Sequence, residues 1–443
     1  MAPRHPAGKP RTSDETAVAD HRWNALYLIA AIAMIFMTLA VAIQPLFLRK
    51  ILGVSLGSAG MINANVEVVA ELATLLVIGT LGVVSDRIGR VPILVGGFLI
   101  GALGGLLAPF SAALGGLLGF GGVAIYYLAR IVMSLGTCAV WPQLATLAGD
   151  FTDAESRARR MSNATSMMAF GSTLVFAVLM QIPRHTGILT VMLLNALLGA
   201  VGAWLAHRLL IDVAPKRAER AIPWRAVREL LVREPRLRVA FAAALFSRGN
   251  VALIGLFYML WTIYFADLVG KTQEQAAGHA GLVVGLVGLL LMTTSLAWGR
   301  VVDHLGRLNA ITVGMAVSGT GFVMMALVTN PFDWFVYLPM ALIALGQAGA
   351  LLAPDVLAFD CTPRNLRGSV MGALNVIGGV GLIVLLEVGG ALFDVVGPYA
   401  PFTVIGVGNL LVMAYARWVA RVEPGRWPKD LRRPDPCEDD DPA

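Results

Sequence analysis

The chain has 443 residues, of which 57% are hydrophobic and 14% are charged, and its formal net charge is +6. Soluble domains carry roughly 25% charged residues, so a soluble protein of this composition would expose a large apolar surface to water. The composition therefore excludes an ordinary soluble domain and predicts an integral membrane protein.

The residues suited to metal or disulfide chemistry are scattered. Cys138, Cys361 and Cys437 show neither a metal-ligand spacing nor the pattern of a disulfide framework. The histidines form no cluster with acids or cysteines. An integral membrane enzyme would need such a cluster at one membrane face, so we expect no metal site, no cofactor and no enzymatic activity.

Twelve segments are apolar and long enough to span a bilayer, which takes about 20 residues. They predict an all-α membrane protein with an N-terminal six-helix bundle over 24–210 and a C-terminal one over 238–421. The first six predicted spans cover 24–48, 60–84, 91–110, 120–149, 160–182 and 187–210. The other six cover 238–267, 277–300, 308–328, 334–359, 369–394 and 399–421.

Three polar segments flank the two predicted bundles: a tail over 1–23, a central loop over 211–237 and a tail over 422–443. Within the central loop, Trp224, Val227, Leu230 and Leu231 fall on one helical face. Such a pattern is typical of a short amphipathic helix on a membrane surface.

The distribution of basic residues predicts the orientation. If the N-terminus is cytoplasmic, 28 of the 34 Lys and Arg residues fall on inside segments and 4 on outside loops. Positive charge accumulates on the cytoplasmic side of membrane proteins. The sequence therefore predicts a multi-pass protein of the cell inner membrane with both termini in the cytoplasm.

The two predicted bundles share an internal repeat. Gly82, Asp86, Gly89 and Arg90 recur 217 residues later as Gly299, Asp303, Gly306 and Arg307. A second set, with Asp150 and Arg157, recurs 210 residues later with Asp360 and Arg367. Duplicated bundles of parallel topology are a known route to transporter folds.

With these motifs the chain resembles the major facilitator superfamily over nearly its whole length. The family's loop 2–3 signature is similar to Gly82–Arg90, and its weaker loop 8–9 copy is similar to Gly299–Arg307. Arg130 and Gly136 look like the family's helix 4 motif, although Ser134 stands where a glycine is usual. The resemblance implies two pseudo-symmetric bundles that rock about a central site and transport a solute by alternating access.

A departure from the family pattern bears on the type of transport. The family's proton-driven antiporters have a Gly-Pro pair in helix 5, whereas the comparable stretch here, Ala169–Leu174, has no proline. This difference favours uptake, symport or another class of export. A phosphate-binding loop of the Gly-x-x-x-x-Gly-Lys-Ser/Thr type does not occur in the sequence, so ATP is not expected to drive transport.

The duplicated motif has a physical interpretation as a cytoplasmic gate. An acid near a helix end can approach a helix N-terminus, where negative charge is stabilised, in its own half or in the facing half. The arginines can pair with acids at nearby helix ends, Asp150 being a candidate for the first copy. The predicted gate residues are Gly82, Asp86, Arg87, Gly89, Arg90, Asp150, Arg157, Gly299, Asp303, Gly306, Arg307, Asp360 and Arg367. The alternative is that these charges only set the topology.

Charges inside predicted spans are costly and mark functional sites. Glu67 lies about 10 Å into the second span, and Arg130 and Glu71 lie about 15 and 16 Å deep in theirs, at the rise of an α-helix. Depth allows Arg130 to pair with either acid. A carboxyl group that has lost its hydration can bind and release a proton near neutral pH, so we predict proton coupling here. The alternative is a static structural ion pair.

The C-terminal bundle offers a second set of intramembrane polar groups. Arg248, in the seventh span, needs a partner, which is either Asp355 or an anionic substrate. Glu387 is a second candidate for protonation or a partner of His279. The remaining predicted substrate contacts are Asn250, Gln44, Trp141 and Gln347.

These observations predict a secondary active transporter of a small polar solute: an organic anion, a zwitterion or a metal chelate. The expected partners are this solute, protons and the lipid bilayer, with no nucleic acid, and the chain is expected to act as a monomer. The alternatives are a proton-independent facilitator, an efflux permease, a membrane enzyme and a transporter-like sensor.

Overall fold

The computed structural model describes residues 20–151, 157–212, 224–363 and 366–422, and in these ranges the regular elements are helices, without a β-strand. Twelve helical segments of the described residues are long and apolar enough to cross a membrane. The prediction of an all-α membrane protein with twelve spans is therefore confirmed. Most of the predicted terminal tails and part of the central loop lie outside the described residues.

The first six spans are built from eight helices, which we call the N-half. They are α1 (Asp20–Lys50), α2 (Ala59–Ile88), α3 (Arg90–Leu107), α4 (Ser111–Leu118), α5 (Gly122–Asp150), α6 (Arg157–Ala177), α7 (Pro183–Thr186) and α8 (Ile188–Leu209). The third span runs through α3 and α4.

The last six spans follow the short helix α9 (Trp224–Arg233). They form the C-half, which consists of α10 (Pro235–Ser247), α11 (Asn250–Phe265), α12 (Gln273–Leu305), α13 (Arg307–Met324), α14 (Tyr337–Asp360), α15 (Arg367–Val395) and α16 (Ala400–Val422). The seventh span runs through α10 and α11 and is broken at Arg248 and Gly249.

Two tight turns define one end of the molecule, which we call the motif end. Gly89 joins α2 to α3 with φ of 108°, and Gly306 joins α12 to α13 with φ of 81°. These left-handed angles favour glycine because it lacks a Cβ atom. The helices continue up to these glycines, so Asp86 and Asp303 lie in the last turns of α2 and α12 and not in loops.

Within each half, helices approach closely at Gly136 or Gly346, which are also related by the offset of 210 residues. A methyl group on Gly136 of α5 would collide with the backbone of Gly101 on α3, and one on Gly346 of α14 with the backbone of Ser318 on α13. Small residues permit such close packing between membrane helices. The repeated glycines therefore fix equivalent helix pairs in the two halves.

The core is distributed unequally along the membrane normal. At the end opposite the motif end, which we call the far end, buried apolar residues of both halves form one cluster that includes Phe47, Phe257 and Phe393. At the motif end the C-half has its own cluster around Trp298, and the N-half has another around Trp23. The halves are thus joined at the far end and have separate cores at the motif end.

The central helix α9 rests on the C-half. Val227 is 1% exposed and belongs to the motif-end cluster of the C-half, whereas Trp224 is 51% exposed. Part of the apolar face that the sequence assigns to the membrane surface therefore packs against protein, with Trp224 turned outward.

Candidate transport site

A buried ion pair lies at the centre of the N-half. Arg130 Nη2 of α5 donates to Glu67 Oε1 of α2 over 2.5 Å, and the two side chains are 5% and 16% exposed. Tyr126, one turn before Arg130, is fully buried and stacks on Phe47 with ring centroids 5.2 Å apart. Of the two acids that depth allows as partners of Arg130, the structure selects Glu67.

Glu71 lies one turn beyond Glu67 and faces the other half of the molecule. A methyl group built on Gly379 of α15 would lie 3.7 Å from Glu71 Oε1. Because α2 packs along α15 at the boundary between the halves, this carboxyl group is placed where relative movement of the halves would change its surroundings.

Two buried amides lie toward the far end from this pair. Gln44 Nε2 donates to the carbonyl of Asn63 over 3.1 Å, and Asn63 Nδ2 donates to the carbonyl of Ala59 over 2.8 Å. Gln44 and Asn63 are both fully buried. Within the described residues, Gln44 Oε1 and Asn63 Oδ1 have no hydrogen-bond partner, so both can accept a further hydrogen bond.

A second ion pair lies at the break in the seventh span. Arg248 Nη2 donates to Asp355 Oδ1 of α14 over 2.6 Å, and the two side chains are 27% and 41% exposed. Gly378 of α15 is packed so closely against the Arg248 side chain that a methyl group there would collide with it. Of the partners considered from sequence, Arg248 takes Asp355 in this structure.

The neighbouring amides of the C-half are hydrogen-bonded to each other, while Asn250 Oδ1 has no partner among the described residues. Asn250 Nδ2 donates to Gln347 Oε1 over 2.9 Å, and Gln347 Nε2 donates to the carbonyl of Ser247 over 2.7 Å. These bonds tie α14 to both sides of the helix break. They therefore hold the backbone on both sides of Arg248 in place.

The other candidates occupy different surroundings. Trp141 of α5 is 42% exposed. Glu387 of α15 is half-buried. His279 is held by the carbonyl of Pro331, 3.2 Å from its Nε2 atom, and lies against the Phe332 ring. The structure therefore gives His279 a backbone partner in place of Glu387.

The first copy of the gate motif is anchored within the N-half. Asp212 Oδ1 accepts from the backbone N–H groups of Arg90, over 2.6 Å, and Val91, over 3.1 Å, at the start of α3. Arg90 Nη1 donates to Ser85 Oγ over 2.7 Å. The side chains of Asp86, Asp150 and Arg157 lie outside the described residues.

The second copy is anchored within the C-half. Arg307 Nε donates to Asp360 Oδ2 over 2.9 Å, and Arg307 Nη1 lies 3.6 Å from Asp303 Oδ1. Arg367 Nε donates to the Thr362 carbonyl over 3.3 Å, and its guanidinium lies 4.1 Å from the centre of the Phe359 ring. In both copies of the motif, these contacts between described residues lie within one half of the molecule.

Comparison with known proteins agrees with this architecture. The sequence model described as Major Facilitator Superfamily matches residues 26–386 and 251–436. The chain belongs to the major facilitator superfamily. Solved structures of the nucleoside transporter NupG and of the xylose transporter XylE from E. coli superpose with TM-scores of 0.72 and 0.68. Each is 13% identical in sequence; the matches cover 90% and 89% of this chain and 98% and 96% of those structures.

Two relatives that are more similar in sequence than these structures are named magnetosome proteins. The chain is 54% identical to the magnetosome protein MamH of Paramagnetospirillum magneticum over 91% of its own length and 93% of that protein. It is 36% identical to the magnetosome protein MamZ of Magnetospirillum gryphiswaldense over 93% of its own length. The match spans 64% of MamZ, so it covers less than two thirds of that relative.

The sequence does not predict the contacts that two acids of this superfamily chain make. Asp212 lies in the predicted central loop but reaches the start of α3. Asp394, at the end of α15, accepts from the backbone N–H groups of Gly60 and Met61 in the other half. Both carboxylates bind backbone groups that are distant in sequence, and a sequence pattern does not reveal such partners.

Proposed function

We propose that this chain is a proton-coupled secondary transporter that moves a small polar solute by alternating access. The observation that supports proton coupling is the buried Arg130–Glu67 pair, with Glu71 one turn away at the boundary between the halves. Movement of α2 against α15 would change the solvation of Glu71. A carboxyl group whose solvation alternates binds a proton in one state and releases it in the other.

The arrangement of the two halves supports the alternating-access part of the proposal. The cores of the halves are joined at the far end and separate at the motif end. If the motif end is cytoplasmic, as the basic residues predict, this state is accessible from the cytoplasm. The Arg248–Asp355 pair, partly exposed at the helix break, would then meet an anionic group of the solute.

The membrane in which the chain works is also a proposal. The inner membrane follows from the predicted orientation of the termini, and the names of MamH and MamZ add the magnetosome membrane as a candidate. Fractionation of cells that express a tagged chain, combined with protease protection of each terminus, tests both the location and the orientation.

A ligand screen followed by transport tests the mechanism. Thermal shift of the purified protein against organic anions, zwitterions and metal chelates finds the solute, because binding stabilises the folded state. Vesicles loaded with protein are then given a pH gradient, and accumulation of the unmodified solute is measured. An enzyme would convert the solute and not accumulate it.

Variants of the two intramembrane acids, with a matched surface control, test whether these acids couple transport to protons. We expect Glu67→Gln and Glu71→Gln to lose gradient-driven accumulation and Glu229→Gln, a change of the same type on the exposed surface of α9, to retain it. Full gradient-driven accumulation in both intramembrane variants would refute proton coupling. A proton-independent facilitator would then be the better description.

A further inference from the structure

The first turn of α2 is capped by an acid from the other half of the molecule. Asp394 Oδ1 accepts from the N–H of Gly60 over 2.6 Å, and Asp394 Oδ2 accepts from the N–H of Met61 over 2.9 Å. The first N–H groups of a helix have no acceptor within the helix itself. Ser58, which precedes α2 and would be the local cap, bonds through its hydroxyl to Ser55 Oγ instead.

The backbones of the two helices meet at the same point. A methyl group on Gly60 would collide with the carbonyl of Gly390 and lie 2.7 Å from Phe393 Cβ. One on Gly390 would lie 2.7 Å from Ala64 Cβ. The glycines thus allow α15 to come close enough for the Asp394 carboxylate to reach the N-terminus of α2, where the helix dipole also favours negative charge.

Other contacts across the halves surround this point. Arg49 pairs with Asp267 over 2.9 Å, and Lys50 pairs with Glu274. One partner of each pair is largely exposed, with Asp267 at 49% and Lys50 at 45%, whereas Glu274 is 14% exposed. Exposed ion pairs contribute little, whereas a carboxylate that accepts two backbone bonds makes charge-assisted hydrogen bonds of the stronger class.

We propose that Asp394 is a gating residue that holds the far end closed by capping α2 across the boundary between the halves. When the far end opens, α2 loses its cap and the carboxylate must be solvated by water. Asp86, an acid of the predicted gate, lies in the last turn of the same helix, at its opposite end. The role of Asp394 in transport rests on the proposed alternating access, but the closure itself does not.

A distance measurement without solute or pH gradient tests the closure. Spin labels are attached to Leu117→Cys on α4 and Leu268→Cys after α11, in the full-length chain with Cys138, Cys361 and Cys437 replaced by alanine. Both positions are highly exposed and lie at the far end, on opposite halves. Double electron–electron resonance in lipid nanodiscs then reports the closed and open populations.

We expect Asp394→Asn to raise the ratio of open to closed populations about tenfold, because its amide nitrogen would replace one acceptor of a charged hydrogen bond. Asp333→Asn is the matched control: it removes the same charge from the far end of the C-half, and we expect the original distribution. If Asp394→Asn does not fold, Gly60→Ala is measured in its place. We expect the same shift toward the open state, because the added methyl would separate α15 from α2.

An unchanged distribution in the folded Asp394→Asn variant, or in Gly60→Ala where that variant decides, overturns the proposal. An equal shift in Asp333→Asn also overturns it, because surface charge would then explain the effect. The test is independent of proton coupling: opening in Asp394→Asn with proton-independent transport in the wild type would refute the proposed function and leave the closure standing.

Discussion

The two intramembrane ion pairs differ in how far they are shielded. The Arg130 and Glu67 side chains are 5% and 16% exposed, whereas those of Arg248 and Asp355 are 27% and 41% exposed. Removing one partner of a buried pair leaves an uncompensated charge, which is strongly destabilising. A partly solvated pair can exchange its partner for a solute group at lower cost. The N-half pair is therefore suited to coupling and the C-half pair to binding.

Neither pair belongs to the repeat. With the offset of 210 residues that relates α5 to α14, Arg130 corresponds to Met340 and Asp355 corresponds to Ala145. The motif glycines and acids, by contrast, recur in both halves. The duplicated parts of the chain therefore include the scaffold and the predicted gate, whereas the two ion pairs of the candidate site lie where the halves differ in sequence.

The largest expected effect is on the buried pair. Arg130→Leu leaves Glu67 buried without its cation, and we expect a loss of about 3 kcal/mol in the free energy of unfolding. Unfolding in a graded denaturant in mixed micelles measures it. The double variant Glu67→Leu with Arg130→Leu should recover most of the loss, because a buried pair can be replaced by apolar residues at little cost. An additive loss in the double variant would contradict a direct pair.

The second largest effect on stability is expected at Gly378, which lies against Arg248, and not at the adjacent Gly379, which lies near Glu71. Gly378→Ala introduces a methyl group that collides with the Arg248 side chain, and overpacking of this type costs about 2 kcal/mol. At Gly379 the nearest atom to such a methyl would be Glu71 Oε1, 3.7 Å away, so we expect Gly379→Ala to be close to neutral. Melting temperatures of the two variants provide the measurement, and equal values would show that Arg248 is not held by this contact.

A smaller stability effect is expected at the exposed pair. Arg248→Ala should lower the free energy of unfolding by about 1 kcal/mol, because solvent replaces the contact with Asp355. Its effect on solute binding should be larger, about tenfold in affinity, since a charge-assisted contact would be lost. Titration calorimetry with the solute found by screening measures the affinity. Unchanged affinity and transport rate would remove Arg248 from the binding site.

The smallest stability effect is expected for Glu71→Gln. Among the described residues Glu71 has no ion-pair partner, so loss of its charge should change the free energy of unfolding by only about 0.5 kcal/mol. Gradient-driven transport should nevertheless be lost. A variant that melts like the wild type yet fails to accumulate solute would separate coupling from structure, whereas a large drop in stability would make Glu71 structural.

Much of the fold could be predicted from sequence because its causes are local. Apolar runs of span length and the glycines at Gly89 and Gly306 act through hydropathy and backbone angles, which depend on neighbouring residues. Helix rise also placed Arg130 at a depth that allows a pair with Glu67 or with Glu71. Depth alone does not say which face of α5 meets α2, so the choice of Glu67 needed the packed structure.

The sequence by itself determined the class of protein, the twelve spans, the duplicated Gly-Asp-Gly-Arg motif and the charges that the membrane makes costly. The tertiary structure decided which acid each arginine meets, which acid stays at the boundary between the halves, and that Asp394 caps a helix more than 300 residues away in the chain. The physical reason is that hydropathy and helix geometry are set by neighbouring residues, whereas ion pairs and helix caps between distant segments depend on how the helices pack.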